Sequence, residues 1–354
     1  MAALFQAHNL NGGGVMSKDR VNVGVIGAGR IGRVHAENLA YRIPNAKLVA
    51  VADVIQDAAE KLGHDFQVPN IFKDYHSILE DKSVDAVVIC SSTDTHAQII
   101  EDAAAAKKNM FCEKPIALNL ARIDQALTAV NKAGVKLQIG FNRRFDPSFR
   151  RVHDLVASGQ LGDPQILRIS SRDPAPPPIA YVKVSGGIFL DMTIHDFDMA
   201  RFMMGDVEEV YAAGNVLIDP AIGKAGDIDT AVITLRFVNG GLGVIDNSRK
   251  AVYGYDQRVE VFGSKGVAAA DNRTADTVLQ SDADGVRGAL PLHFFVERYA
   301  EAYAEEMRAF IDCILKGKTP PVTGQDGRAP VVIGYAAKKS YEENRPVKLS
   351  EIDQ

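Results

Sequence analysis

Cysteine is scarce, with 3 residues among 354. Cys90, Cys112 and Cys313 lie far apart, two of them in apolar strand-like runs, so a disulfide scaffold and a zinc cluster both lack the necessary spacing. A basic surplus is also missing. Lys and Arg number 40 against 45 Asp and Glu, a formal net charge of −5, which argues against a dedicated nucleic-acid binder that must displace counterions from phosphates. No apolar stretch approaches the length needed to cross a bilayer. The first twenty residues show no basic region ahead of an apolar core, so they do not read as a secretory signal. We expect a flexible leader over residues 1–20, a cytoplasmic protein, no metal, and no nucleic-acid or membrane partner. No internal repeat is visible.

What is present is enough chain for two cores. From Val21 the pattern alternates: an apolar run to Ile26, a glycine turn, a helical stretch to about Tyr41, then Leu48 to Ala52. Further strand-like runs at Ala86–Cys90, Asn109–Cys112 and Val135–Ile139 alternate with helical segments such as Gln98–Lys107 and Arg122–Ala133. This order predicts an α/β Rossmann domain over 21–140 with a parallel sheet. Past Gly140 the runs Gln165–Ser170, Ala231–Phe237, Gly241–Ser248 and Gln257–Phe262 follow one another with few helices between. They predict an α+β domain over 141–354 on an open, largely antiparallel sheet. Asn239-Gly240-Gly241 reads as a hairpin turn with consecutive positive φ angles. Asp173 opens a stiff run rich in proline, through Pro178. Helices are expected over about 295–315 and 328–343, the latter packing back on the first domain.

Gly27-Ala28-Gly29-Arg30-Ile31-Gly32 is a G-x-G-x-x-G placed after a strand and opening a helix. Gly27 permits the tight turn, Gly29 lets the backbone approach a pyrophosphate, and Gly32 lets helix and strand pack closely. Asp53 ends the second strand about twenty residues on, where a carboxylate accepts ribose hydroxyls and repels a 2′-phosphate. The pattern points to NAD, with Arg30 and Ile31 of the loop among the contacts. A carboxylate at Asp53 could instead cap the next turn. Ser91, Thr93 and His96 follow the Ala86–Cys90 strand at the ligand-binding edge of such a sheet, and Glu113-Lys114 follows the next strand at the same edge. Ser92 or Asp94 would also serve as an ordinary helix cap.

Proline 115 keeps Lys114 extended and favours an unusual peptide bond there. If Gly186–Phe202 is helical, Asp191 and His195 stand four residues apart on one face, a carboxylate beside an imidazole able to take and return a proton. A core histidine and a surface ion pair are the plainer readings. The apolar setting of Ile188, Phe189, Leu190, Ile194 and Phe197 counts against the second.

With these motifs assembled, the chain resembles the glucose-fructose oxidoreductase and inositol dehydrogenase family over roughly Val21 to Val347. Gly140–Pro147 and Gly254–Arg258 add to the likeness. The resemblance implies oxidation of the C2 hydroxyl of myo-inositol to the ketone, with hydride passing to NAD. It implies Lys114, Asp191 and His195 as the catalytic set: His195 the base, Asp191 its orienting partner, Lys114 a donor to the substrate oxygen. Arg143, Asp173 and Tyr255 would join Lys114, Asp191 and His195 in holding the polyol, and a homotetramer would form through the second sheet. Another inositol isomer, an aldose, or a non-catalytic NAD-binding regulator are the alternatives, since fold alone does not fix function.

Overall fold

The computed structural model describes residues 19–353, so the expected leader lies outside the described residues except for its last two. Six strands form the first sheet: β1 (Val21–Ile26), β2 (Ala46–Ala52), β3 (Asn70–Phe72), β4 (Ala86–Ile89), β5 (Asn109–Glu113) and β6 (Leu137–Gly140). All are parallel, in the order β3-β2-β1-β4-β5-β6. Alanine, valine and isoleucine fill β1, β2 and β4 almost without a polar break, because helices cover both faces of a parallel sheet. The chain reverses direction across the sheet between β1 and β4, and the crevice beyond their carboxyl ends is where doubly wound folds bind ligands.

A second sheet runs β12-β11-β7-β10-β9-β8-β15. Its strands are β7 (Pro164–Arg172), β8 (Val207–Asn215), β9 (Thr230–Phe237), β10 (Leu242–Ser248), β11 (Asp256–Gly263), β12 (Gly266–Ala270) and β15 (Val347–Lys348). The expected antiparallel character holds except at β7 and β10, which pair in parallel. The turn between β9 and β10 departs from expectation: Gly240 has φ +87°, while Asn239 contributes its side chain, accepting the Gly241 N–H at 2.9 Å. A small exposed hairpin, β13 (Leu279–Asp282) with β14 (Gly285–Gly288), stands apart.

The helical segment expected over 295–315 is split into Phe295–Arg298 and Ala300–Leu315. The longer piece places Met307, Phe310 and Ile311 in one core with Val23, Val25 and Phe111 of the first sheet. The last helix, Gly324–Glu343, carries glycines at close contacts: a Cβ on Gly327 would meet Ile116 and Ile139, and one on Gly334 would meet Leu190. It thus touches both the first sheet and the segment holding Asp191. No described helix is long and apolar enough to cross a membrane.

Candidate active site

The glycine turn is built as its residues require. Gly27 has φ +99°, and a Cβ there would sit 2.6 Å from the Cys90 carbonyl. A Cβ on Gly32 would lie 1.9 Å from the Gly27 oxygen, so helix Arg30–Tyr41 packs against the turn only with glycine at that position. Gly29 differs, since a Cβ there would meet nothing within 4 Å. It caps the helix with no side-chain hydrogen bond, leaving first-turn N–H groups beside open space, which fits the pyrophosphate of a dinucleotide. Asp53 binds this turn directly: one carboxylate oxygen accepts the Ala28 N–H at 2.7 Å and the other the Ile55 N–H at 2.8 Å. The ordinary turn-capping role is therefore real and coexists with a position at the loop. Arg30 points away from the sheet, its guanidinium 5.5 Å from the Phe294 ring centre, and Ile31 packs against both apolar cores.

At the neighbouring strand ends, Ser91 Oγ lies 2.6 Å from Thr95 Oγ1, and Thr93 begins helix Thr93–Ala105. His96 is placed otherwise than expected for a cofactor contact. It is buried, with Nδ1 2.9 Å from the Pro115 carbonyl and Nε2 3.0 Å from the Ser91 carbonyl. Burial pushes its pKa down, and the neutral ring donates its one N–H to one of the two carbonyls. The Lys114–Pro115 peptide is cis. Glu113 points inward, its Oε1 2.7 Å from His35 Nε2.

Lys114 Nζ donates to the Asp191 backbone oxygen at 3.0 Å. Burial lowers its pKa, against the raising influence of Asp191 and Glu113. This ammonium thus links the end of β5 to the Asp191 segment.

The single helix expected to carry Asp191 and His195 is interrupted. Gly187–Asp191 ends at Met192–Thr193, and a second helix runs Ile194–Met204. At the break the Thr193 hydroxyl lies 3.2 Å from the Ile188 carbonyl and 2.6 Å from Asn247 Oδ1, binding the chain to β10. Asp191 is bonded elsewhere than to His195. Its carboxylate accepts the Tyr181 hydroxyl at 2.8 Å and faces the buried Arg249 guanidinium at 3.3 Å. His195 Nδ1 is buried with no hydrogen-bond partner among the described residues, and the ring stands edge-on to Phe141. Burial, then Lys114, then Arg143 hold its pKa well below the ordinary value, so the imidazole is neutral and free to accept a proton at neutral pH.

Arg143 donates to Asp196 Oδ1 at 2.6 Å and to the Tyr255 hydroxyl at 3.4 Å. Asp173, where β7 runs into the proline stretch, has its pKa raised to about 6 by burial, in the fields of Arg249, Asp191, Arg143 and Asp196. Lys114, Arg143, Asp173, Asp191 and His195 thus converge electrostatically. Sequence reasoning missed Arg249, Asp227, Tyr181 and Asn247. Only Asn247-Ser248-Arg249 at a strand end hinted at any of them, and its partners are remote in sequence.

Comparison with known proteins now decides the family. Residues 21–141 match the model described as "Oxidoreductase family, NAD-binding Rossmann fold", and residues 149–269 match the GFO/IDH/MocA C-terminal domain. The chain belongs to the GFO/IDH/MocA family. It is 55% identical to the myo-inositol 2-dehydrogenase of Thermotoga maritima over 94% of this chain and 99% of that one. It is 46% identical to the inositol 2-dehydrogenase of Rhizobium meliloti, covering 93% and 99% of the two chains. Among solved structures, scyllo-inositol dehydrogenase of Lactobacillus casei with bound NAD(H) and scyllo-inositol superposes with a TM-score of 0.88 at 32% identity, over 94% of this chain and 99% of that one. Residues 21–141 of this family member, which carry the glycine turn and Asp53, form an NAD-binding Rossmann domain.

Proposed function

We propose that the protein oxidises the C2 hydroxyl of myo-inositol to the ketone, with NAD as hydride acceptor. The observation that carries the reading is the meeting of Lys114 with the Asp191 segment, beside a histidine kept neutral by burial and by that same lysine. The Thermotoga and Rhizobium relatives carry inositol dehydrogenase names.

Bound NAD supplies the electrophilic ring carbon that takes the hydride. Removing hydride from a carbinol carbon requires loss of the hydroxyl proton, and His195 is the base that accepts it. Lys114 donates to the same oxygen, stabilising negative charge that develops there before the carbonyl forms. Asp191, fixed by Tyr181 and Arg249, presents a carboxylate to a neighbouring hydroxyl, and so does Asp173; Arg143 and Tyr255 complete the polyol contacts. On the cofactor side Gly27, Gly29, Arg30, Ile31, Gly32, Asp53, Ser91, Thr93, Glu113 and Lys114 line the proposed contacts, and Asp53 favours NAD over NADP. His96 acts there only by holding the Pro115 loop. Residues 21–140 then serve as the cofactor domain and 141–354 as the substrate domain, in a cytoplasmic protein.

A homotetramer is supported by the outer face of the second sheet, where Val267, Phe262, Ile166 and Leu242 lie in register across four strands and are exposed. The deciding experiment is turnover with NAD over a panel of inositols and aldoses, followed by absorbance of the reduced cofactor. Highest efficiency on myo-inositol is expected. No turnover on any polyol would leave a non-catalytic NAD-binding protein, and preference for an aldose would reassign the substrate.

A further inference from the structure

Behind Lys114 lies a cluster of which the proposed reaction uses only Glu113, leaving His35 and Glu306 without a role. His35 comes from helix Arg30–Tyr41, Glu113 from β5 and Glu306 from helix Ala300–Leu315, and one ligand-type atom of each lies within 4.8 Å of the others. His35 and Glu306 are 0% exposed and Glu113 is 9% exposed. Glu113 is bonded to His35 Nε2, whereas neither carboxylate oxygen of Glu306 has a hydrogen-bond partner among the described residues.

Among the described residues the surroundings offer Glu306 no compensating cation. Phe111 and Tyr303 stand edge-on to the His35 ring, and Gln138 of β6 donates to the Glu306 backbone carbonyl at 2.8 Å, not to its side chain. The Cys90 thiol and the Tyr303 hydroxyl feel both glutamates and are pushed up by burial and by them. Arg143 and Arg144, on the turn packed against this helix, are engaged with Asp196 and Asp198. Two carboxylates this close in a buried apolar site are strongly disfavoured as a doubly charged pair, because burial strips them of water and their like charges repel.

We infer that Glu306 is held as a neutral carboxylic acid behind Lys114, and that its proton keeps the Glu113–Lys114 strand end in place. Burial first, and Glu113 second, hold the Glu306 carboxyl well above the ordinary glutamate range. Ionising Glu306 would set a second negative charge against Glu113, the residue next to Lys114, and push the strand end away from the helix. Glu306 is in this sense a positioning residue. Its three-group cluster ties the helix of the glycine turn, the end of β5 and the returning C-terminal helix into one block. The same three atoms would suit a divalent cation, but the existing His35–Glu113 bond and complete burial favour a proton.

The test uses the full chain with Glu306→Gln, Glu306→Asp and Glu306→Ala. Infrared difference spectra at pH 7 should show a protonated-carboxyl band in the parent protein that disappears in Glu306→Gln and shifts in Glu306→Asp. Linkage gives a second readout. A carboxyl whose folded pKa is raised contributes stability that is lost as pH rises, so the melting temperature of the parent should fall relative to Glu306→Gln between pH 5 and pH 9. Turnover at pH 7 should stay within about twofold in Glu306→Gln and drop about tenfold or more in Glu306→Ala, the size expected of a small misplacement of a catalytic group.

No band change in either Glu306→Gln or Glu306→Asp overturns the inference, and so does an identical pH dependence of melting. Stoichiometric uptake of Zn2+ by the parent but not by Glu306→Gln would overturn it in favour of a metal site. The effect on turnover rests on the role proposed for Lys114. The infrared and melting readouts do not, so the two ideas fail separately.

Discussion

The two sides of the cleft are made differently. On the cofactor side the backbone forms the surface: Gly27, Gly29 and Gly32 matter for what they lack, and one carboxylate, Asp53, secures the turn through two main-chain N–H groups. On the polyol side the surface is made of polar side chains from the ends of β5 and β7, the 142–145 turn, two helices and β10, several of them held by other side chains. A backbone site needs a short local signal, while a side-chain site needs many distant residues to agree. The contrast implies that substitutions on the polyol side should strike turnover and pH dependence, and those on the cofactor side should strike NAD affinity or folding.

The largest expected effect is at His195. His195→Ala should lower kcat by about a hundredfold to ten-thousandfold, the usual worth of a positioned base, with NAD affinity within twofold. Stopped-flow turnover and cofactor titration check both halves, and near-normal turnover would remove His195 from the chemistry. Next is Arg249, buried between Asp191 and Asp227. Arg249→Leu leaves two carboxylates without their cation and frees Asp191 to move. Turnover should fall about tenfold to a hundredfold, with some loss of melting temperature. Unchanged kinetics would show that Asp191 needs no such support.

On the cofactor side Gly29 and Gly32 form an internal pair. Gly29→Ala should leave the melting temperature unchanged, because its Cβ meets nothing, yet raise KM for NAD about tenfold by obstructing close approach of the pyrophosphate. Gly32→Ala drives a Cβ into the Gly27 carbonyl and should destabilise the fold itself. If both variants melted alike and bound NAD alike, the backbone-built account of this side would be wrong.

The same contrast explains what the sequence disclosed. The parallel sheet and the glycine turn were legible because strand runs, a G-x-G-x-x-G and Asp53 are contiguous patterns. The positions of Lys114, Asp191 and His195 were legible as motifs, but their relations were not. A four-residue spacing suggested one helix with Asp191 orienting His195. In the structure that helix is interrupted where Thr193 meets Asn247, more than fifty residues on, and Asp191 faces Arg249. Likewise the parallel pairing of β7 with β10 follows from packing across the sheet and has no local sign. His96 shows the same limit: nothing in the sequence signalled that its ring nitrogens lie beside the Pro115 and Ser91 carbonyls.

The smallest effect is the most diagnostic, because it moves two measurements in opposite directions. Burial pushes the Asp173 carboxyl up to about 6. As pH rises through that value the carboxyl ionises and becomes a stronger acceptor for a polyol hydroxyl, so KM for myo-inositol should fall severalfold between pH 5 and pH 7. The folded pKa is raised above the unfolded one, so the stability this group contributes below the ordinary aspartate range is lost over the same rise. Binding improves while melting temperature declines, and Asp173→Asn should flatten the KM curve and make the melting curve less steep. His195 cannot mimic this pattern, since its pKa is depressed by burial, Lys114 and Arg143 and its loss of charge acts on kcat. A KM that ignores pH in the parent, or that still varies in Asp173→Asn, would place Asp173 outside the polyol site and leave the carboxylates of that side reduced to Asp191.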